Sequence, residues 1–350
     1  PPPAVFPMTL LELGSIDFGY NGESVVLKDI DLEICNPQLI SIIGPNGAGK
    51  TTLIHCINRI LAPTRGTVLL DGEDVTSFKA KDLAKKIGYI PYTSSDSFPM
   101  SVVDTVLMGR NPHRKWNTMH EDMVVVERTL EMMDIKDLAM RPFNELSAGQ
   151  RQRVMLARGL AQEPEVLLLD EPTSNLDIRH QMDVIRLLKK QSNERGLVVI
   201  MISHDINIAA KYSDNIIMMH DGTIYAVGTP KDVITEENMR KVYGVEVDIL
   251  EQDDRPHVVI RDRDFSKDGA RTLEGSYVVS EQRRRSGNGV PAGDRLLQAD
   301  TPQGAAGVRA DGPDRDVRGV LADGERTRHR VLRDLLLHHQ PHPRHRVRVP

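Results

Sequence analysis

The stretch LISIIGPNGAGKTTL, residues 39–53, decides how the rest of this 350-residue chain is read. A short apolar run (Leu39, Ile40, Ile42, Ile43) enters a loop holding three glycines among six residues, and a lysine, two threonines and a helix-compatible segment follow. The spacing Gly44-x-x-x-x-Gly49-Lys50-Thr51 fits the phosphate-binding loop pattern at every position. A nucleoside triphosphate crowds three phosphates together, and a loop wrapping them needs backbone N–H groups at close range. Gly44, Gly47 and Gly49, with Pro45, Asn46 and Ala48 between them, permit that approach. The helix starting near Lys50 adds its positive end. Lys50 can reach the β- and γ-phosphates, and the Thr51 hydroxyl is a hard-oxygen ligand suited to Mg²⁺. A glycine-rich strand-to-helix turn without a ligand would not need Gly, Lys and Thr together in register.

Outward from this loop, the preceding residues read as strands with turns: LLELGSIDFGY, the turn Asn21-Gly22, then VVLKDIDLEI. Tyr20, a lone aromatic at the end of the first strand, would ordinarily be core, but beside a nucleotide site it can stack on a base. Downstream, TVLLDG and DVTSF read as strands, residues 82–86 as helix and KIGYIPY as a short strand. Residues 118–133 show a T-x-x-E capping box (Thr118, Glu121) with apolar residues at 126, 130 and 133, which predicts a helical insert between strands. In NELSAGQRQRVMLARGLAQ, Ser147 and Gln150 form a second capping box, and Pro164 ends that helix. VLLLD then reads as a fully buried strand running into Asp170 and Glu171. A helix at 178–194, the strand LVVIMIS ending at His204, the hairpin NIIMMHDGTIYAVG and a helical close near 235–243 complete the pattern. Strand–loop–helix repeated with buried strands predicts an α/β fold with a mainly parallel sheet and an antiparallel patch first.

Ligands of such sheets bind beyond the C-terminal strand ends, where this loop, Asp170, Glu171 and His204 all fall. A carboxylate ending an apolar strand is costly to bury unless a cation faces it, and Mg²⁺ beside Thr51 would serve for Asp170. Glu171 points elsewhere and is placed to orient or deprotonate a water. Ordinary helix capping is the plain alternative for this acidic pair, and a structural role is the plain one for a strand-end histidine such as His204. The capped helix start at Ser147, Ala148, Gly149 and Gln150 is a second anion-seeking feature, about a hundred residues from the first. Two copies arranged head to tail would let each such start close the other's loop.

Tyr20, GPNGAGKTT, LSAGQRQRVMLARGL, VLLLDEPTSNLD and ISHD, in that order, resemble the ATP-binding subunit of ABC transporters over about residues 9–245. The resemblance implies a P-loop NTPase of ABC ATPase type: a mainly parallel sheet core, an antiparallel β patch, and an inserted helical subdomain at about 93–163 within a domain spanning 9–262. It implies that residues 44–52, Thr52 included, are the Walker A loop and residues 166–170 the Walker B strand. Glu171 is then the catalytic carboxylate, residues 174–177 the D-loop and His204 the switch histidine. Residues 146–150 are then the signature that completes the ATP site of the opposite subunit. The cofactors implied are ATP and Mg²⁺. The partners implied are a second copy, transmembrane permease subunits and an extracytoplasmic binding protein, with no nucleic acid. The place implied is the cytoplasmic face of the cell membrane, held peripherally. The run FPMSVVDTVLMGRNPH, residues 98–113, and the close VGTPKDVITEENMRKVYGVEV resemble importers of iron–siderophore, haem and cobalamin; molybdate-type importers carry similar ATPases. A soluble ABC ATPase acting on ribosomes or DNA is the reading from another class. A single cassette without sustained heptads favours transport.

Composition is consistent with these expectations. Cys35 and Cys56 are the only cysteines, with no CxxC, which suits a reducing compartment. No apolar run approaches 18 residues, and no charged segment followed by an apolar one marks a leader. Residues 1–8 read as a proline-rich flank. Residues 263–350 differ: 17 Lys+Arg against 12 Asp+Glu, one lysine (Lys267), and neither isoleucine nor methionine. A basic tail binding nucleic acid or anionic lipid would carry more aromatics than Phe265 and Tyr277. A disordered extension, or translation out of frame beginning near residues 267–271, fits the composition better, and no fold is expected there.

One residue departs from the resemblance. The family carries a glutamine after the strand written here as IGYIP, and this chain has Tyr92. The phenol is bulkier and lacks the amide's paired donor and acceptor. Tyr92→Gln is expected to raise permease-stimulated ATP turnover while leaving ATP affinity within about twofold, which steady-state kinetics on the transporter would measure. Unchanged stimulated turnover would refute a coupling role for this position.

Overall fold

The computed structural model describes residues 11–20, 25–92, 100–115, 118–174, 176–261 and 347–349. In chain order its strands are β1 (Leu11–Gly19), β2 (Val25–Ile34), β3 (Leu39–Ile43), β4 (Arg65–Leu70), β5 (Glu73–Asp74), β6 (Ile87–Ile90), β7 (Val166–Leu169), β8 (Val198–Ile202), β9 (Asn215–His220), β10 (Thr223–Gly228), β11 (Val247–Gln252), β12 (Arg255–Ile260) and β13 (Val347–Val349). Its helices are α1 (Lys50–Ile57), α2 (Ala80–Lys86), α3 (Val102–Leu107), α4 (Met119–Met132), α5 (Ala148–Ala161), α6 (Ile178–Arg195), α7 (Ile206–Tyr212), α8 (Pro230–Val233) and α9 (Glu236–Tyr243).

The runs LISII, VLLL and VVIMI carry almost no polar residues, and such runs persist as strands when a sheet is covered on both faces. They become β3, β7 and β8, buried at every position. The central sheet has the order β10-β9-β3-β8-β7-β6, parallel from β6 to β9 and closed by antiparallel β10. Because successive side chains of a strand point to opposite faces, each run divides between two cores. Ile40, Ile42, Val166, Leu168, Val198, Ile200 and Ile202 join the inner residues of α1 and of the antiparallel sheet. Leu39, Leu167, Leu169, Val199 and Met201 join α3, α4, α5 and α6. A smaller core, with Ile43, Ile216 and Met218, is closed by α7, α9 and the β11–β12 hairpin.

The second sheet runs β13-β2-β1-β4-β5 and is antiparallel except at β13. The antiparallel patch, the parallel core and the helical insert follow the sequence expectations. The described part of the insert contains α3, α4 and α5; residues 93–99, where its start was expected, lie outside the described residues. The same holds for the turn at Asn21-Gly22, residues 1–8 and most of 263–350.

Four points differ. DVTSF is strand only at Asp74, because the Asp74 carboxylate accepts from both the backbone N–H and the hydroxyl of Thr76 at 2.7 Å, and such a local turn competes with a ladder. Thr118 precedes α4 without capping it: its hydroxyl donates to Asp122 Oδ2 at 3.0 Å instead, so no capping box with Glu121 forms. The β11–β12 hairpin follows α9, where the sequence reading stopped. Residues 347–349 pair in parallel with β2, and Val349 is fully buried; β2 would otherwise leave an unpaired edge.

Leu168 is fully buried among residues from both sheets. Leu168→Ala is expected to lower stability by about 2–5 kcal/mol, measured by urea unfolding. A loss below about 1 kcal/mol would mean that the core there is not closely packed.

Candidate functional site

Strand order sets the site. β8 lies between β3 and β7, so the residues that follow these three strands emerge side by side. Lys50 follows β3 through the glycine loop, His204 follows β8, and Asp170 and Glu171 follow β7.

The loop is pressed against its neighbours. A Cβ on Gly44 would lie 2.3 Å from the Met219 carbonyl oxygen, and one on Gly49 would lie 2.8 Å from the Leu27 side chain. Their φ angles, 147° and 95°, fall where side chains are strained. Gly49 hands the chain to α1, whose first turn has no side-chain cap, so its leading N–H groups remain available to an anion. Ala48 is buried, while Asn46 and Gly47 are exposed at the tip. Lys50 is only 7% exposed and donates to the carbonyls of Gly44 at 2.8 Å and Pro45 at 2.9 Å. Burial pushes its pKa down, and the carboxylates of Glu171 and Asp170 act against that shift.

Thr51 donates a long hydrogen bond, 3.4 Å, to Asp170 Oδ1. Asp170 is buried, and burial raises its pKa; the bond from Thr51 lowers it and the neighbouring Glu171 raises it further. Glu171 takes the left-handed φ of 49° and turns its carboxylate to His204, whose Nε2 donates to Oε1 at 2.5 Å. Asp205 caps α7 through Ile208 N–H, which fixes the turn carrying His204. Tyr20 shares a 3.4 Å hydrogen bond with Thr52 and packs edge-on against Phe18 at 4.9 Å.

The expected site residues thus fall into two groups. Tyr20, residues 44–52, Asp170, Glu171 and His204 come together. Ser147, Ala148, Gly149 and Gln150 do not: among the described residues no hydrogen bond or ion pair joins them to the loop. They form the predicted capping box, with Ser147 Oγ accepting from Gln150 N and Gln150 Oε1 accepting from Ser147 N. Gly149 backs onto Leu176, 3.3 Å from where its Cβ would be. Asp177, beside Leu176, caps α6 through His180, and hydrogen bonds from His180 hold its carboxyl below the usual range. Asn175 lies outside the described residues.

Two tyrosines behind the site were missed in the sequence. His55 and Tyr89 share a 3.0 Å hydrogen bond, and burial together with the Asp170 charge pushes the Tyr89 phenol up to about 12. Tyr243 of α9 accepts a hydrogen bond from the Gly44 N–H, although burial still pushes its phenol up to about 12. Neither lies in a local pattern that periodicity or capping could flag. Tyr92 lies two residues beyond β6, 42% exposed.

The donor set fits a Mg²⁺–triphosphate in kind. Thr51 and Asp170 present hard oxygens close together, and at Gly44 and Gly49 the loop passes its neighbours too closely for a side chain.

Comparisons with known proteins place the chain in a family. The family model described as ABC transporter matches residues 27–174. An uncharacterised ABC transporter ATP-binding protein of Methanocaldococcus jannaschii is 42% identical over 239 residues, covering 68% of this chain and 93% of the relative. A petrobactin import ATP-binding protein of Bacillus anthracis is 35% identical over 264 residues, covering 75% of this chain and 96% of the relative. Among solved structures, the dimeric post-hydrolysis state of an ATP-binding cassette bound to ADP and Pi is similar, with a TM-score of 0.57 and 30% identity over 63% of this chain and 98% of that one.

Asp170 generates a prediction about stability. A carboxyl whose pKa is raised on folding destabilises the fold at pH values above its folded pKa; the penalty fades as pH falls through that raised pKa and is gone below the unfolded value of about 4. In the chain free of nucleotide and Mg²⁺, Asp170→Asn is therefore expected to raise the unfolding midpoint at pH 7, with the gain disappearing near pH 3. Thermal unfolding across pH measures this, and a destabilised variant at pH 7 would contradict it.

Proposed function

This chain belongs to the ABC transporter family as an importer's ATP-hydrolysing subunit, and from that premise we propose that two copies, arranged head to tail, share two ATP sites. In this reading each site takes the loop of residues 44–52, Asp170, Glu171 and His204 from one copy and Ser147, Ala148, Gly149 and Gln150 from the other. The observation that carries it is the division of the site. One group converges at three adjacent strand ends, and the capped helix start stands apart: among the described residues no hydrogen bond or ion pair joins it to the loop, and its cap bonds run between Ser147 and Gln150.

Lys50 and the N–H groups of the loop bind and orient the phosphates, and Tyr20 faces the base. Thr51 and Asp170 would hold Mg²⁺, which supplies charge neutralisation at the phosphates when bound. Glu171 is the group that orients or deprotonates the attacking water, and His204, bonded to it, fixes the direction of its carboxylate. Binding of two ATP closes the pair, hydrolysis reopens it, and permease subunits convert that motion into uptake. The functional domain is residues 9–262, with the helical insert at about 93–163.

The cargo class is an iron–siderophore, haem or cobalamin-like chelate, supported by the GRNPH run at 109–113 and by a relative named for petrobactin import. Among the described residues no helix is long and apolar enough to cross a membrane, so attachment at the cytoplasmic face rests on the permease, with a binding protein on the far side.

The test uses Glu171→Gln, which retains binding and blocks hydrolysis. This variant is expected to elute as a monomer without nucleotide and as a dimer with ATP. Adding Ser147→Arg is expected to abolish the dimer while each chain still binds a fluorescent ATP analogue. Dimerisation that survives Ser147→Arg would remove the proposed role of the second copy.

A further inference from the structure

The run Gly109-Arg110-Asn111-Pro112-His113 takes no part in the nucleotide site, yet Arg110 is only 7% exposed and all its bonds run inward. Its Nε donates to Asp122 Oδ1 at 2.9 Å, and its Nη1 donates to the Ala161 carbonyl and to Glu163 Oε2, both at 2.8 Å. Asp122 is also buried and accepts a second bond from Thr118, while Glu163 accepts one from Arg128 at 2.6 Å. His113 Nε2 donates to the Gln162 carbonyl at 2.8 Å. The acceptors Ala161 and Gln162 end α5, where helix carbonyls lack intrahelical partners and a cation is favoured.

The same helix end is tied to the central sheet. The Gln162 amide donates to the Ile87 carbonyl at 2.9 Å and also to the Ala84 carbonyl. Two glycines allow close approach, Gly109 to backbone and Gly159 to a side chain. A Cβ on Gly109 would lie 2.2 Å from the Arg158 carbonyl oxygen, and one on Gly159 would lie 2.6 Å from Ile90 Cδ1. The turn at 109–113, the C-terminal half of α5 and β6 therefore form one closely packed block.

What this block holds is visible at its two outlets. β6 ends at Ile90, whose carbonyl accepts the Asp170 N–H at 2.9 Å, and Tyr92 follows two residues later. α5 has 14 residues and so extends about 20 Å, with residues 147–150 at its opposite end. A tilt of about 10° at the clamped end would displace the other end by about 3 Å, a full hydrogen-bond length. We infer that Arg110 and His113 are positioning residues that hold the C-terminal end of α5, which Gln162 ties to β6, and so set the angle of the helix start at residues 147–150 to Asp170 and Tyr92. The clamp touches neither nucleotide nor Mg²⁺ ligands. It acts on how the two halves of the site present themselves. The inference rests on the proposed pairing of two copies for its consequence in hydrolysis, but not for its geometry.

The test reads that geometry directly. Spin labels at Glu145→Cys, just before α5, and Lys190→Cys on α6 report the angle in the full chain, since the native Cys35 and Cys56 are buried. Arg110→Lys, which keeps the charge and loses the forked donor, is expected to broaden the label distance distribution by about 3 Å or more. Affinity for a fluorescent ATP analogue should stay within about twofold, because the loop shares no partner with the clamp. His113→Phe is expected to broaden the distribution less, and His113→Gln, whose amide can still donate to the Gln162 carbonyl, is expected to restore it. In the Glu171→Gln background, Arg110→Lys should weaken ATP-driven dimerisation by about tenfold. If Arg110→Lys fails to fold, the two His113 variants decide. A distribution unchanged by His113→Phe, or broadened equally by His113→Gln, overturns the inference. If the Glu171→Gln parent does not dimerise with ATP, the two-copy reading fails, and the label distances still decide the clamp.

Discussion

An ammonium group held inside its own backbone loop is the constraint on which the site depends. Lys50 is removed from water, which alone would favour its neutral form, and two loop carbonyls with two nearby carboxylates hold its charge in place. Such a group is destabilising unless every partner is positioned in advance. Positioning requires strands that end together. β3 supplies the loop and β7 the carboxylates, and β8, inserted between them, brings His204 to Glu171. The apolar strands are what make this possible. Buried on both faces, they give the strand ends a rigid base from which costly charges can project.

Much of this was written in local patterns. The continuous apolar runs announced covered strands, the glycines announced a loop pressed against its neighbours, and Ser147 with Gln150 announced a capped helix. Each is a property of residues a few positions apart. What was not legible is whatever depends on distant parts of the chain meeting. Nothing near residue 198 says that β8 will insert between β3 and β7. Nothing near residue 243 says that a phenol will reach Gly44. Thr118 illustrates the same limit at short range. Its pattern predicts a cap, but the buried Asp122, itself held by Arg110, offers its hydroxyl a better acceptor. DVTSF failed for the opposite reason, since Asp74 satisfies the backbone locally before a ladder can.

The helical insert shows how two glycines and two side chains fix an appended element against its neighbours. Amphipathic pattern explains why α5 buries Val154, Leu156, Ala157 and Leu160, but not why it lies at one angle to the sheet. Hydrophobic burial is non-directional. The direction comes from close approach at Gly109, to the Arg158 carbonyl, and at Gly159, to the Ile90 side chain, and from bonds to the carbonyls ending the helix. A buried ion pair such as Arg110–Asp122 contributes little net stability compared with an apolar substitute of similar volume. Its value here lies in geometry, because a guanidinium with several fixed acceptors admits one arrangement where packed methyl groups admit several.

The same distinction between energy and direction applies to Glu171. A non-glycine residue at a φ of 49° costs about 1–3 kcal/mol. In an ordinary extended continuation of β7, Asp170 and Glu171 would alternate across the sheet and at most one could face the loop. The left-handed turn breaks that alternation. Asp170 meets Thr51, and Glu171 swings to His204 at the end of the neighbouring strand. Two consecutive carboxylates are thereby given different neighbours and different surroundings, one buried and the other partly open to water. The strain at one residue is what gives one carboxylate the Thr51 hydroxyl and the other the His204 ring.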